Sequence, residues 1–232
     1  MNKPILGVIG AMQIEIEGLK AAMTDVTVET VSGIDFYSGE LDGQRVVAAV
    51  CGVGKVFAAI CTQTMILRYH PSLIVNTGVG GTLTDRVGIG GLVIASDVVQ
   101  HDMDTSPLGD PVGMISGINI VHIPADESTA VRFAAAAAAL GIPHTTGTVA
   151  SGDQFISDRA EKTRITETFG GVACEMEGAA VGQVCYVNDI PFAVLRAISD
   201  EADGTSPDDF GAFAAAAAKN SVAVLRRFLK DF

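Results

Sequence analysis

The chain has 232 residues, of which 48% are hydrophobic, and its 27 acidic and 15 basic residues give a formal net charge of −12. No stretch is rich in lysine and arginine, which argues against a nucleic-acid partner, because phosphates need clustered positive charges. No run approaches the roughly 18 apolar residues of a membrane span, and the N-terminal apolar run is short for a signal peptide.

These limits favour a single domain over residues 1–232, since α/β folds of roughly 200–250 residues are commonly one domain. The four cysteines, at positions 51, 61, 174 and 185, lack CxxC spacing and lie in apolar stretches. They are typical of small core residues in a reduced compartment, so we expect a cytoplasmic protein without a zinc site.

Strands and helices alternate at the start of the chain. A predicted strand at about 4–10 leads to a helix at about 12–23, and two strand-like runs follow at Ile34 to Leu41 and Gln44 to Val50. The Asp42-Gly43 pair between these runs predicts a β-hairpin.

The middle of the chain continues this alternation. A helix is predicted at about 54–69, followed by a strand at Leu73 to Val75 and a glycine-rich turn at Thr77 to Gly81. Two further strands are predicted at Gly91 to Val99 and at Ile118 to Ile123, with a polar loop between them.

In the last part, strands are predicted at Thr145 to Ala150, Val172 to Cys174 and Pro191 to Leu195. The alanine runs at 134–139 and 214–218 are predicted to lie in helices, because alanine is the best helix former. Strands that alternate with helices, plus one hairpin, predict a mixed, mostly parallel sheet with helices on both faces.

Acidic residues follow three of the predicted strands. Glu15 comes after the first strand, Glu175 and Glu177 after the strand at 172–174, and Asp200 after the strand at 191–195. Ligands bind at the carboxyl ends of strands in open α/β sheets, and buried carboxylates need partners. The sequence therefore predicts one acidic pocket, with a buried ion-pair network as the alternative.

Glu175 and Glu177 are expected to differ in role: one faces a ligand while the other caps a helix or forms an ion pair. Arg196 is predicted to form a bidentate pair that keeps the nearby carboxylates ionised.

Three other motifs have simpler interpretations. Gly52 to Lys55 and Gly78 to Gly81 lack the spacings of a P-loop and of a dinucleotide fingerprint. The side chains of His101 to Asp104 could bind a metal, but their spacing favours a hydrogen-bonded loop. Ser151 to Ile156 is either an ordinary turn with a core aromatic or an apolar face suited to a purine ring.

Taken together, several motifs resemble the bacterial 5'-methylthioadenosine/S-adenosylhomocysteine nucleosidases of the purine nucleoside phosphorylase superfamily. They are Gly7 to Met12 with Glu15, Asn76 to Gly81, Ser151 to Ile156, Glu175 to Glu177, and Arg196 to Asp200. The resemblance implies a three-layer αβα sandwich around a mixed, mostly parallel twisted sheet, a homodimer, no cofactor and no metal. The implied reaction is hydrolysis of an N-glycosidic bond, which releases adenine and a thio-substituted ribose.

The resemblance also implies roles for individual residues. Glu15 would be the general base that activates water, and Asp200 the acid that hydrogen-bonds or protonates adenine N7. The implied substrate-binding residues are Gly81, Phe155 and Ile156 at the purine, Met176 and Glu177 at the ribose hydroxyls, Met12, Val53 and Phe210 at the alkylthio end, and also Ser199 and Arg196. Of these, Arg196 would steady the carboxylate and the water. Glu177 is expected to be ionised, since it would stabilise a developing cation.

Two other functions stay open. A phosphate-dependent nucleoside phosphorylase would need cationic groups, whereas the first glycine turn carries Ala11 and Met12. A non-catalytic nucleoside-binding protein would leave its ligand intact. Among possible substrates, methylthioadenosine, adenosylhomocysteine, 5'-deoxyadenosine and aminofutalosine are not distinguished. Val79 stands where many family members have a serine that helps to position the water.

Overall fold

The computed structural model describes residues 3–204 and 210–230; in the last helix the side chains of residues 210–214 and 217 lie outside that description. The described strands are β1 Ile5–Gly10, β2 Thr24–Val31, β3 Ile34–Leu41, β4 Gln44–Val50, β5 Leu73–Thr82, β6 Leu92–Gln100, β7 Ile123–Pro124, β8 His144–Ser151, β9 Gly171–Glu175 and β10 Phe192–Asp200. The described helices are α1 Gln13–Ala22, α2 Lys55–Tyr69, α3 Glu127–Ala139, α4 Arg159–Phe169, α5 Gly178–Val187 and α6 Phe210–Leu229.

Five strands close into a ring within the sheet. β5 pairs with both β9 and β10, β10 pairs with β6, and β8 joins β6 to β9. From β5 the sheet continues through β1, β4 and β3 to β2. The predicted mixed sheet is confirmed, and its described pairings include parallel ones at its centre and antiparallel ones in the β2–β3–β4 segment.

Helices cover both faces of the sheet, as predicted. Ile16 of α1, Phe133 of α3 and Leu225 of α6 belong to one buried cluster, whereas Met65 of α2 and Val181 of α5 belong to the cluster on the opposite face. None of the described helices is both long and apolar enough to cross a membrane. The three-layer αβα arrangement inferred from the sequence is therefore confirmed.

The hairpin prediction is confirmed by backbone geometry. Asp42 and Gly43 connect β3 to β4 and have φ angles of 50° and 80°. Positive φ at both central residues is typical of the type I′ turn, whose twist matches that of the flanking strands.

Two element predictions were wrong, and the edge strand β2 was not predicted. Thr77 to Gly81 is not a turn but part of β5. Strand β2 was missed because it lies at the sheet edge with almost all its side chains exposed, so it has no buried apolar face. In the predicted strand at 118–123, only Ile123 belongs to a strand, since Gly117 and Asn119, with φ angles of 95° and 56°, interrupt the extended backbone.

Candidate active site

A cavity of about 180 Å³ lies at the carboxyl ends of β1, β5, β9 and β10. Its lining includes ten of the residues predicted for the site: Met12, Glu15, Val53, Gly81, Phe155, Ile156, Met176, Glu177, Ser199 and Asp200. Arg196 lies outside this lining and contacts Glu175 from behind. The side chain of Phe210 lies outside the described residues.

Glu15 is held on one wall by backbone amides. The amides of Ala11 and Met12 donate to its Oε2 at 2.7 and 2.9 Å, and the amide of Val79 donates to its Oε1 at 3.0 Å. Burial raises the pKa of this carboxyl, while these hydrogen bonds and the charge of Arg196 oppose the shift. Glu15 is therefore a fixed carboxyl whose pKa lies above the ordinary value.

The glycines of β5 make room for the two carboxyls proposed to be catalytic. A Cβ atom on Gly78 would lie 2.6 Å from Oε1 of Glu15, and one on Gly81 would lie 2.7 Å from Oδ1 of Asp200. Real Cβ atoms do not approach other atoms so closely. Gly78 and Gly81 therefore leave the space in which the two acids lie against β5. These two glycines are three residues apart, which corresponds to about 10 Å along the strand.

Asp200 ends β10 and is aligned with Gly81 of β5. Its Oδ1 accepts from the amide of Ala202 at 2.9 Å, and its Oδ2 accepts from the hydroxyl of Ser199 at 2.9 Å. Ala202 lies two residues after the end of the strand, where the chain turns and the amide of Ala202 comes back to this carboxyl. Ser199 and this turn therefore fix the orientation of the Asp200 side chain.

Glu175 is the acid that caps and pairs. Its Oε2 accepts from the amides of Glu177 and Gly178 at the start of α5, at 3.1 and 2.8 Å, and it also contacts the hydroxyl of Ser151 and the guanidinium of Arg196. This buried charge is thus compensated by hydrogen bonds and by a buried cation, as a buried ion pair requires.

Arg196 does not form the predicted bidentate pair. Its Nη2 contacts both Glu175 and the side-chain oxygen of Asn76, and the same atom is 3.9 Å from Glu177. Its Nη1 donates to the backbone oxygens of Asn76 and Leu195 at 3.2 and 3.1 Å. Only Nη2 therefore reaches the acids, since Nη1 bonds to backbone oxygens and the buried Nε has no hydrogen-bond partner among the described residues.

Glu177 lines the cavity, as does Glu175, but unlike that of Glu175 its carboxyl makes no hydrogen bond to the start of α5. Burial and the neighbouring Glu175 raise its pKa to about 7, although Arg196 and a 2.8 Å hydrogen bond from the amide of Gly54 act in the opposite direction. Without a ligand, the pKa of this carboxyl therefore lies well above that of an ordinary glutamate, and its ionisation beside a developing sugar cation stays a prediction.

The remaining walls of the cavity are mostly apolar. Phe155 is 57% exposed and Val53 is 51% exposed, so both lie at the mouth, whereas Ile156 is buried. Apolar walls with a few fixed polar groups are typical of small-molecule sites. Among the described residues, no three His, Cys, Asp or Glu side chains are grouped so that they could hold a metal ion.

Several residues at the site were not predicted as contacts. Gln154 and Cys174 line the cavity, and Asn76 and Ser151 hold Arg196 and Glu175 in place. Cys174 was interpreted only as a core residue, but its position directly before Glu175 in β9 was a usable signal. Asn76 and Ser151 begin two of the motifs that carry the family resemblance, but their contacts with Arg196 and Glu175, which are distant in sequence, were not predicted.

Comparisons with known proteins agree with this geometry. A family model described as the phosphorylase superfamily matches residues 5–230. The chain is 37% identical over 227 residues to a 5'-methylthioadenosine/S-adenosylhomocysteine nucleosidase of Shewanella loihica, covering 97% of this chain and 98% of that protein.

Two solved structures are similar over nearly the whole chain. The nucleosidase of Neisseria meningitidis in complex with methylthio-immucillin-A has a TM-score of 0.94 and 32% identity, covering 98% of this chain and 99% of that one. The futalosine hydrolase of Helicobacter pylori has a TM-score of 0.94 and 32% identity, covering 99% of this chain and 98% of that one.

Proposed function

The chain belongs to the phosphorylase superfamily, and we propose that it is a nucleosidase that hydrolyses the N-glycosidic bond of 5'-methylthioadenosine and S-adenosylhomocysteine. The products are adenine and the thio-substituted ribose. The observation that carries this proposal is that Glu15 and Asp200, two carboxyls held by separate sets of hydrogen bonds, line the same cavity.

In the proposed reaction, Glu15 is the general base. Its ionised carboxylate takes a proton from water, and the water oxygen forms a bond to the anomeric carbon of the ribose. The backbone amide of Val79 donates a hydrogen bond to Glu15, whereas the valine side chain has no group that could bind the water. The side chain of Val79 is apolar, and the water is therefore oriented by Glu15.

Asp200 acts at the leaving group. As the bond between ribose and adenine breaks, its electron pair passes to the purine, and Asp200 donates a proton or a hydrogen bond at N7. Gly81 allows this carboxyl to lie against β5, and the backbone of Gly81 and Ile156 borders the same region. The ring of Phe155 at the mouth is suited to stacking on the purine.

Glu177 and Met176 would hold the ribose, and Met12 and Val53 would contact the alkylthio group. When the glycosidic bond breaks, positive charge develops on the sugar, and an ionised Glu177 stabilises it. Because the pKa of Glu177 is about 7 without ligand, we expect the sugar cation to favour its ionised form.

Hydrolysis is favoured over phosphorolysis by the charges around the cavity. Its described lining contains no lysine or arginine, and Arg196 is held behind Glu175. A phosphate ion would therefore meet carboxyls without a cation in reach, which makes water the better nucleophile.

We expect the purified protein to release adenine from methylthioadenosine at the same initial rate in phosphate-free buffer and in buffer with added phosphate. Product chromatography should give free thioribose and not a ribose 1-phosphate. A rate that depends strictly on phosphate would identify a phosphorylase. Initial rates on adenosylhomocysteine, 5'-deoxyadenosine and aminofutalosine in the same assay would rank the substrates.

We also propose that the enzyme is a cytoplasmic homodimer. Val56, Phe57, Ile60 and Leu67 lie along one side of α2 and are 39–69% exposed, and Val53 continues this apolar stripe to the mouth of the cavity. Burial of such a stripe against a second copy removes apolar surface from water. The buried, unpaired cysteines support a reducing compartment.

The dimer can be tested with Val56→Glu, which places a carboxylate in the first turn of α2, where the helix dipole tolerates it. We expect sedimentation to show a dimer for the wild type and a monomer for this variant. Val131→Glu is the matched control, because Val131 is 63% exposed on α3 and should leave the dimer intact. A wild-type monomer with full activity would contradict the proposal.

A further inference from the structure

Three segments that are far apart in sequence meet beside the cavity in a closed ring of hydrogen bonds. The amide of Lys55 donates to Oδ1 of Asp153 at 2.8 Å, and the amide of Asp153 donates to Oδ2 of Asp102 at 3.0 Å. The ammonium of Lys55 closes the ring by donating to Oδ1 of Asp102 at 2.6 Å. Each of the three residues thus bonds to both of the others.

The ring caps the start of α2. Gly54, the N-cap residue, provides no side-chain cap, and the first turn of α2 contains no acidic residue. Carboxylates from elsewhere take this role, since the amide of Gly54 donates to Oε1 of Glu177 and that of Lys55 to Asp153. Unpaired amides and the helix dipole at a helix start favour such carboxylates.

Gly54 is required for this arrangement in two ways. Its φ of 101° is rarely adopted by other residues, and a Cβ atom there would lie 3.1 Å from Oδ1 of Asp153. The motif from Gly52 to Lys55, which resembles part of a P-loop, therefore serves to bring the start of α2 against two carboxylates.

The ion pair in the ring is largely shielded from water. The side chains of Lys55 and Asp102 are 19% and 20% exposed, and Lys55 also donates to Gln100, which is linked to Gln183 of α5 at 2.6 Å. Burial opposes ionisation of Asp102, but hydrogen bonds from Lys55 and from the amide of Asp153 keep its pKa below the ordinary value. The ring is therefore charged and closed at neutral pH.

The chain segments that contain Lys55 and Asp153 also form walls of the cavity. Val53 precedes Gly54, and Gln154 to Ile156 follow Asp153, and all of these residues line the cavity. Through the amide of Gly54, the ring also bonds to Glu177. The ring thus connects the wall proposed for the purine with the carboxyl proposed for the ribose.

We propose that Lys55, Asp102 and Asp153 are positioning residues that set the purine-binding loop at a fixed distance from the ribose-binding carboxyl of Glu177. This inference rests on the proposed function. It assigns one role to three motifs that the sequence analysis had interpreted separately: the glycine-lysine turn, the His101 to Asp104 loop and the Ser151 to Ile156 loop.

The ring also affects the protonation of Glu177. The groups that face this carboxyl are Glu175 of β9, Arg196 of β10, Glu15 of α1, the thiol of Cys51 and the amide of Gly54. Of these, only the amide of Gly54 belongs to the segment that the ring holds. If the start of α2 loosens, this hydrogen bond weakens, and the pKa of Glu177 rises further.

The test compares Asp153→Ala with Asp153→Asn, since asparagine keeps a side-chain oxygen for the amide of Lys55. For Asp153→Ala, we expect the KM for methylthioadenosine and the calorimetric Kd for adenine each to rise about tenfold, which corresponds to about 1.4 kcal/mol and lies within the range of a lost helix cap. The acid limb of the kcat/KM profile should move to higher pH. Asp153→Asn should restore KM and Kd to within about threefold of wild type.

Asp126→Ala is the control for loss of a helix cap alone. Asp126 accepts from the amide of Thr129 at the start of α3, and its own amide bonds to Phe192, at the opposite end of β10 from Asp200 and thus about 26 Å of strand away. This variant should lower Tm without changing KM, Kd or the pH profile. If Asp153→Ala behaves the same way, or if Asp153→Asn is as impaired as Asp153→Ala, the inference is wrong.

If Asp153→Ala does not fold, Lys55→Met provides the second test, because it removes the ammonium and keeps the backbone amide for Asp153. We expect it to raise the Kd for adenine by about three- to tenfold, and a wild-type Kd would overturn the inference. Adenine binding does not depend on turnover. A wild type that binds adenine without hydrolysing the nucleoside would thus contradict the proposed function and still allow the ring to be tested.

Discussion

Replacement of Asp200 by asparagine is expected to lower kcat for adenine release by about 10²–10⁴-fold, the usual contribution of a general acid. Asparagine has the shape of aspartate and can still accept from the amide of Ala202, which lies 2.9 Å from Oδ1. It cannot supply a proton to the departing purine. We therefore expect KM and Tm to change little, so that the loss is confined to the chemical step.

A second substrate separates this role from a general disturbance of the site. A nitrophenyl 5-methylthioribofuranoside releases a phenolate that does not need protonation to leave. Asp200→Asn should retain most of its activity on this glycoside while losing it on methylthioadenosine. Equal losses on both substrates would show that Asp200 does not act as an acid at the leaving group.

The same pair of assays separates an enzyme from a nucleoside-binding protein. A binding protein leaves methylthioadenosine intact in both the wild type and the variant, whereas the proposed enzyme gives adenine with the wild type and about 10²–10⁴-fold more slowly with the variant. Calorimetry on Asp200→Asn with methylthioadenosine should then detect binding without turnover, because the residues at the ribose and at the mouth of the cavity are unchanged.

The sequence was sufficient to predict which acids meet, because each of them follows an apolar run that forms a buried strand. Glu15 follows β1, Glu175 ends β9 and Asp200 ends β10, so sheet pairing brings all three to one edge. The strand at 191–195 was predicted too short, since β10 continues through Arg196 to Asp200. Polar residues are unusual in a buried strand; here Glu175, Asn76 and backbone oxygens accept hydrogen bonds from Arg196, and the amide of Ala202 donates to Asp200.

The glycine-rich part of β5 shows why local rules can fail at a site. Glycine is disfavoured in strand interiors, so Thr77 to Gly81 was predicted as a turn. In the fold, the missing side chains of Gly78 and Gly81 provide the space for Glu15 and Asp200. That requirement arises only after α1 and β10 have packed beside β5, and the local sequence contains no information about it.

The ring of Lys55, Asp102 and Asp153 was beyond the sequence for a related reason. Its members are separated by 47, 51 and 98 positions, and each of its bonds involves a backbone amide or a side chain whose direction depends on tertiary packing. The three motifs were visible as turns and loops. That they share one set of hydrogen bonds follows only from the arrangement of α2, β6 and β8.

Replacement of Glu15 by glutamine is the second change with a large expected effect, again about 10²–10⁴-fold in kcat, because a carboxamide cannot take a proton from water. Both carboxylate oxygens accept backbone amides in the wild type. In glutamine one of these oxygens becomes an NH₂ group that faces an amide, so this variant should also lose roughly 1–3 kcal/mol of stability. Differential scanning calorimetry should show a lower Tm, and kinetics are to be measured well below it.

The pH profile then identifies which carboxyl controls the acid limb. A base is active only when ionised, and burial raises the pKa of Glu15, so the wild-type kcat/KM should fall as the pH decreases through a value above that of an ordinary glutamate. Glu177, with a pKa of about 7, would give a limb of the same sign near neutrality. Glu177→Gln should therefore keep only the limb of Glu15, and the residual activity of Glu15→Gln should keep only that of Glu177. A profile of Glu15→Gln that matches the wild-type profile in shape and height would show that another group activates the water.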